Sequence, residues 1–129
     1  EIYQLVSKNT KSIHLEKFLN FPKNFENHEL NQRWTQLLKL RDICNLSIEE
    51  KRASKEIGSS LEALLKIKIN KDYVELLKGI DLAELCITSS VEILNENSEN
   101  IEVQTIKAEG KKCSVCWKIS KEPCIRHER

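Results

Sequence analysis

Between Asn27 and Lys55 apolar residues recur at steps of three and four. Leu30, Trp34, Leu37, Leu38, Arg41, Cys44 and Ile48 fall on one side of a 3.6-residue spiral. No other stretch commits the chain so strongly. It predicts one amphipathic helix of roughly seven turns, with Asn27 as N-cap and Gly58 as stop signal. Trp34 sits on the stripe and is expected in the core. The first residues (Ile2, Tyr3, Leu5, Val6) read as a helix remnant. An extended arm follows, from Ser12-Ile13-His14-Leu15 to Phe21-Pro22, where proline biases its predecessor away from helix.

Beyond Gly58 the period changes to two. Leu65, Ile67 and Ile69 alternate with Lys66 and Lys68, giving a strand with one wet face. Asp72 to Lys78 reads as a short helix, with Asp72 available as cap and Gly79 closing it, and Asp81 to Leu85 as another helical turn. Cys86-Ile87-Thr88 and Val91 to Leu94 read as strand, Asn95 to Asn100 as a loop short enough for an antiparallel return, and Ile101 to Thr105 as the last strand. The expected class is α+β: a long helix, a small and mainly antiparallel three-stranded sheet with short helices, and a Cys-bearing tail.

Charge separates that tail from the rest. The 129 residues carry 21 Lys+Arg and 20 Asp+Glu, a formal charge of +1, which excludes a uniformly basic nucleic-acid coat. Yet seven basic and only three acidic side chains fall in residues 107–129, together with three of the five Cys. Boundaries follow at 1–57, 58–109 and 110–129. No window reaches the roughly 20 apolar residues of a membrane span, and no secretory signal opens the chain. An odd cysteine count without such a signal points to a reducing compartment. The chain starts at Glu1 and has no Met, as expected of a piece of a longer polypeptide.

The tail holds the strongest chemistry. Cys113-Ser114-Val115-Cys116 can aim two thiolates at one metal ion, and zinc then needs two more ligands. Cys124 and His127 have the same spacing, so Cys113, Cys116, Cys124 and His127 form a candidate set. Three other readings stay open: a redox Cys-x-x-Cys, cysteines as small apolar residues (apt for Cys44 and Cys86), and ligands beyond Arg129. Catalytic constellations are absent. His14, His28 and His127 are scattered, three glycines make no phosphate loop, and Ser59-Ser60 reads as a turn. A binding module fits better than an active site. Arg41 and Arg52 lie eleven apart, about three turns, on one helix face. Trp117 beside Lys118 offers a stacking platform for an unpaired base or, alternatively, a cover for a metal.

Several of these runs are familiar in order: Trp34 with Leu40-Arg41-Asp42, Glu49, Arg52, Ile57-Gly58-Ser59-Ser60-Leu61-Glu62-Ala63, Ser89-Ser90-Val91, and Gly110-Lys111-Lys112-Cys113-Ser114-Val115-Cys116-Trp117. Together they resemble the C-terminal region of bacterial isoleucyl-tRNA synthetase over nearly the whole chain. The resemblance implies a class I enzyme that joins isoleucine to tRNA using ATP and magnesium in the cytoplasm. This piece would be the end of its anticodon-binding region plus a zinc-binding tail, with no catalytic residue of its own. Its partners would be tRNA(Ile) and the upstream catalytic and editing domains, and its tRNA contacts Arg41, Arg52, Trp117 and Lys118. In the family the tail binds zinc through two Cys-x-x-Cys pairs with a longer spacer. Here the second pair comes early and ends in His127. The alternative is a structural or protein-docking zinc-ribbon module without tRNA contact.

Overall fold

The computed structural model describes residues 2–7, 12–95 and 100–127. After a short helix, α1 (Ile2–Ser7), the chain runs as an extended arm with two single 3-10 turns, Ile13–Leu15 and Lys23–Phe25. None of the arm is buried, and Phe18, Phe21 and Phe25 stand open to solvent.

The long helix, α2, spans His28–Ala53. Asn27 caps it as the sequence predicts: its side-chain oxygen accepts the Leu30 amide hydrogen at 2.9 Å. The end differs. The helix stops at Ser54, and Lys55 takes a left-handed φ of 61°. The Glu56 amide reaches back to the Lys51 carbonyl at 3.1 Å, the bond of a Schellman cap. Lysine therefore does the work expected of Gly58.

Leu37, Leu40, Cys44 and Ile48 are the buried stripe of α2. Trp34 is a correction: it is 37% exposed, and Leu30 and Leu38 are more so. Burial on the helix begins at Leu37, so the first turns carry their apolar side chains past the core.

Strand β1 (Ala63–Ile69) alternates strictly, with Ala63, Leu65, Ile67 and Ile69 buried. Two short helices follow. In α3 (Lys71–Leu76) the cap is Asn70, whose oxygen accepts the Tyr73 amide hydrogen, and not Asp72. In α4 (Leu82–Leu85) Asp81 accepts from the Ala83 and Glu84 amides. Cys86 caps the end of α4 and Ile87 turns left-handed (φ 55°), so Cys86-Ile87-Thr88 is a helix exit, not the strand expected of it. Strands β2 (Ser90–Asn95) and β3 (Glu102–Lys107) flank β1 in the order β2-β1-β3.

The sheet is mixed. β1 pairs with β3 antiparallel but with β2 parallel, because α3 and α4 carry the chain back before β2 begins. The expected return between β2 and β3 does not pair them: β1 lies between. Residues 96–99 of that connection fall outside the described residues. α2 packs on one sheet face, where Ser47 Oγ and Thr105 Oγ1 share a hydrogen bond of 2.7 Å. On the other face Lys66 and Lys68 pair across strands with Glu92 (3.4 Å) and Glu102 (3.3 Å). That is the wet face read from the alternation. Two short strands, β4 (Lys111–Lys112) and β5 (Ile119–Ser120), form a separate antiparallel ribbon in the tail.

Candidate metal centre

The ribbon brings the tail's chemistry together. Lys111 pairs with Ser120 and Lys112 with Ile119, and the intervening loop folds back on itself. The Cys113 amide donates to the Lys118 carbonyl at 2.9 Å, and the Trp117 amide to the Cys113 carbonyl at 3.0 Å. Trp117 closes the turn with a left-handed φ of 64°. Gly110, at φ 131°, permits the close approach of the two strands: a Cβ there would lie 2.1 Å from the Ser120 carbonyl oxygen.

This turn and the segment after β5 converge. The ligand atoms of Cys113, Cys116, Cys124 and His127 all lie within 4.8 Å of one another. Cys116 Sγ is 3.8 Å from Cys124 Sγ; His127 Nδ1 is 3.6 Å from Cys113 Sγ and 3.4 Å from Cys124 Sγ. Zinc bonds to sulfur at about 2.3 Å and to imidazole at about 2.0 Å, so its tetrahedral edges are about 3.8 Å (S to S) and about 3.5 Å (S to N). The donor set and these spacings fit a structural zinc site. Cys113 is buried, Cys116 and Cys124 partly so, and His127 is exposed.

Backbone amides prepare the sulfurs. The Val115 amide donates to Cys113 Sγ at 3.5 Å. Donation from the Cys116 and Val115 amides holds the Cys113 thiol down at about 6 despite some burial. At Cys116 the Lys118 amide pulls the same way, but burial and the neighbouring thiols Cys113 and Cys124 outweigh it and push the value up. Crowded thiols that cannot all ionise alone are what a divalent cation relieves. Cys44 and Cys86 are core residues, as the apolar reading expects, and the Cys86 thiol and burial together push the Cys44 thiol far up.

The tail is fastened to the sheet domain at several points. Ser89 Oγ accepts the Ile119 amide hydrogen at 2.6 Å and donates to the Leu61 carbonyl. Lys118 Nζ meets Glu84 at 2.7 Å, Arg126 approaches the same carboxylate at 3.7 Å, and Lys112 meets Glu62 at 3.6 Å. Glu84 and Arg126 had no motif to mark them, and the runs that contain Glu62 and Ser89 did not show their partners, which are distant in sequence.

The four proposed contact residues are not one cluster. Trp117, 60% exposed, and Lys118 stand together on the tail. Arg41 is half-buried and donates through Nε to the Leu85 carbonyl at 3.0 Å, bonding α2 to α4. Arg52 lies about 16 Å further along the helix and pairs with Glu49 at 2.7 Å.

No protein-family model matches the chain. Curated relatives do. An isoleucine-tRNA ligase of Pelagibacter ubique is 56% identical over 127 residues, covering 98% of this chain and 14% of that protein. The chain is homologous to isoleucine-tRNA ligases. Those of Methylacidiphilum infernorum (40% identical, 88% of this chain, 12% of that protein) and Bartonella quintana (34%, 90% and 13%) agree. The chain thus spans about an eighth of the length of these ligases. No helix among the described residues is long and apolar enough to cross a membrane.

Proposed function

We propose that this chain is the C-terminal, non-catalytic part of a cytoplasmic isoleucine-tRNA ligase and helps to bind its tRNA, at the anticodon. The parent would join isoleucine to tRNA using ATP and magnesium in upstream catalytic and editing domains. The observation that carries the reading is Trp117. It is the fourth residue past the first metal ligand, is largely exposed, and has Lys118 beside it. A ring that only covered a metal would be buried. An open one can stack on an unpaired base.

Zinc, held by Cys113, Cys116, Cys124 and His127, would supply structure and no reaction chemistry. It would lock the turn that presents Trp117. This chain's residues then do the rest: Ser89, Glu84 and Glu62 fix the tail on the sheet domain, and the lysines lower the cost of approaching phosphate.

The test is Trp117→Ala in the full-length ligase. Affinity for isoleucine tRNA should fall about 5- to 160-fold, the range of one lost base stack, while activation of isoleucine by ATP is unchanged. Unaltered tRNA affinity would remove the role. A second reading, protein docking, is favoured by the arm, where Phe18, Phe21 and Phe25 are exposed. Salt separates the two: phosphate contacts weaken steeply with ionic strength and apolar docking does not.

A further inference from the structure

The five cysteines divide by access. Cys44 and Cys86 lie in the core at 0% and 3% exposure, and Cys113 is 4% exposed. Cys116 and Cys124 are only partly buried. Both border a cleft of about 530 Å³ between the end of α4 and the tail, whose charged and polar lining, Glu84, Lys118, Glu122 and Arg126 included, suits water and small polar solutes. Cys124 also borders a smaller cleft of about 150 Å³, shared with Cys113. The two accessible sulfurs stand together, with Cys116 Sγ 3.8 Å from Cys124 Sγ.

That spacing serves two bonds. It is one edge of a zinc tetrahedron, as above. It is also short of a disulfide, about 2.05 Å long, by only about 1.8 Å. Side-chain rotation can supply the difference, because Cys116 sits in a turn and Cys124 in a segment outside any helix or strand. Metal ligation keeps both sulfurs as thiolates, the form that attacks an oxidant.

We propose that Cys116 and Cys124 are a peroxide-sensitive pair whose oxidation to a disulfide empties the metal site and releases the tail. The oxidant is hydrogen peroxide. The Cys124 thiolate attacks one peroxide oxygen and breaks the O–O bond, giving a sulfenic acid and one hydroxide. The Cys116 thiolate then attacks that sulfur; the S–S bond forms and a second hydroxide leaves. Two electrons pass from the sulfur pair to the peroxide, and two protons from solvent turn the hydroxides into water. Cys113 and His127 remain, two donors where a structural zinc needs four. The turn that presents Trp117 then loses its clamp. The inference rests on the zinc and tRNA readings above and adds a control of the same site.

The experiment treats zinc-loaded, full-length ligase with graded hydrogen peroxide. A chromogenic chelator reads zinc release, and peptide mapping by mass spectrometry reads the cysteines. About one zinc should leave per Cys116–Cys124 disulfide formed, with Cys44 and Cys86 still reduced. Affinity for isoleucine tRNA should fall at least about fivefold, the lower bound for one lost base stack, and return with a thiol reductant plus zinc. Cys124→His keeps four donors and removes one sulfur of the pair, so it should retain zinc at peroxide doses that empty the wild type. If that variant holds no metal, the wild-type map alone decides. Zinc retained by the oxidised wild type, zinc lost through sulfinic acids or through a disulfide elsewhere, or tRNA affinity unchanged once zinc has gone would each overturn the inference. Those results leave the zinc reading standing, whereas a reduced wild type that binds no zinc removes both.

Discussion

Gly110 lies against Ser120 with no room for a side chain: a Cβ would sit 2.1 Å from the carbonyl oxygen and 2.7 Å from the Lys121 nitrogen. Both obstacles are backbone, so neither can swing aside. The φ of 131° also disfavours any L side chain. Gly110→Ala should therefore open the β4–β5 ribbon and scatter Cys113 and Cys116 from Cys124 and His127. Metal affinity is expected to fall at least tenfold while the α2–sheet core keeps its far-ultraviolet circular dichroism. A competitive zinc titration measures the first and the dichroism spectrum the second.

Removing the metal should loosen the tail and spare the core. Leu37, Leu40, Leu65 and Ile67 are buried between α2 and the sheet, and none of the four ligands belongs to that cluster. Chelation is expected to raise amide exchange at Cys113 and Trp117 by orders of magnitude, because their bonds, to Lys118 and Cys113, close only the turn that carries the ligands. Exchange in β1 should stay as it was. Hydrogen-exchange mass spectrometry reads both.

Core truncation has the opposite pattern. Ile67 is fully buried at the centre of the sheet, opposite Ile93 and Val103. Ile67→Ala should cost about 2–5 kcal/mol, seen as a lower urea midpoint of the 129-residue chain. Substitution of Trp34, which is 37% exposed, should cost clearly less.

Acid should undock the tail. Glu62 accepts the Gly58 amide hydrogen and faces Lys112, and both hold its carboxyl below the usual range; Glu84 is held down by Lys118 and Arg126. A depressed folded value means that the stabilising contribution is fully present above the unfolded carboxyl value. It is lost as pH falls through the folded one. Tail resonances such as the Ile119 amide should be constant from pH 7 to about 5 and shift below the normal carboxyl range of about 4.3. Glu62→Gln should remove part of that transition.

Local signals carried well from sequence to structure. Asn27 caps α2 because an oxygen three bonds from its Cα reaches the third amide beyond, and such geometry is written in neighbours. The alternation from Ala63 to Ile69 is equally local. The grouping of Cys113, Cys116, Cys124 and His127 was legible because chemistry restricts which residues can bind zinc and spacing brings them into pairs. What failed to show was long-range. The parallel register of β1 with β2 depends on how two short helices return the chain, and nothing in Ser90–Asn95 states its partner. Trp34 matched the helical period but lies beyond where burial begins on α2. Arg41 suggested phosphate contact, yet it bonds the Leu85 carbonyl, 44 residues away. Ser89 stood in the Ser89-Ser90-Val91 run, but nothing there showed that it bridges Leu61 and Ile119.

The account turns on a metal-built tail. The direct measurement is zinc per chain by elemental analysis of protein purified without chelator, for the wild type and for Cys124→Ala and His127→Ala. One zinc per wild-type chain, with the two variants binding it at least tenfold more weakly, is the predicted result. A wild-type chain without zinc, or variants that hold it as tightly as the parent, would contradict it.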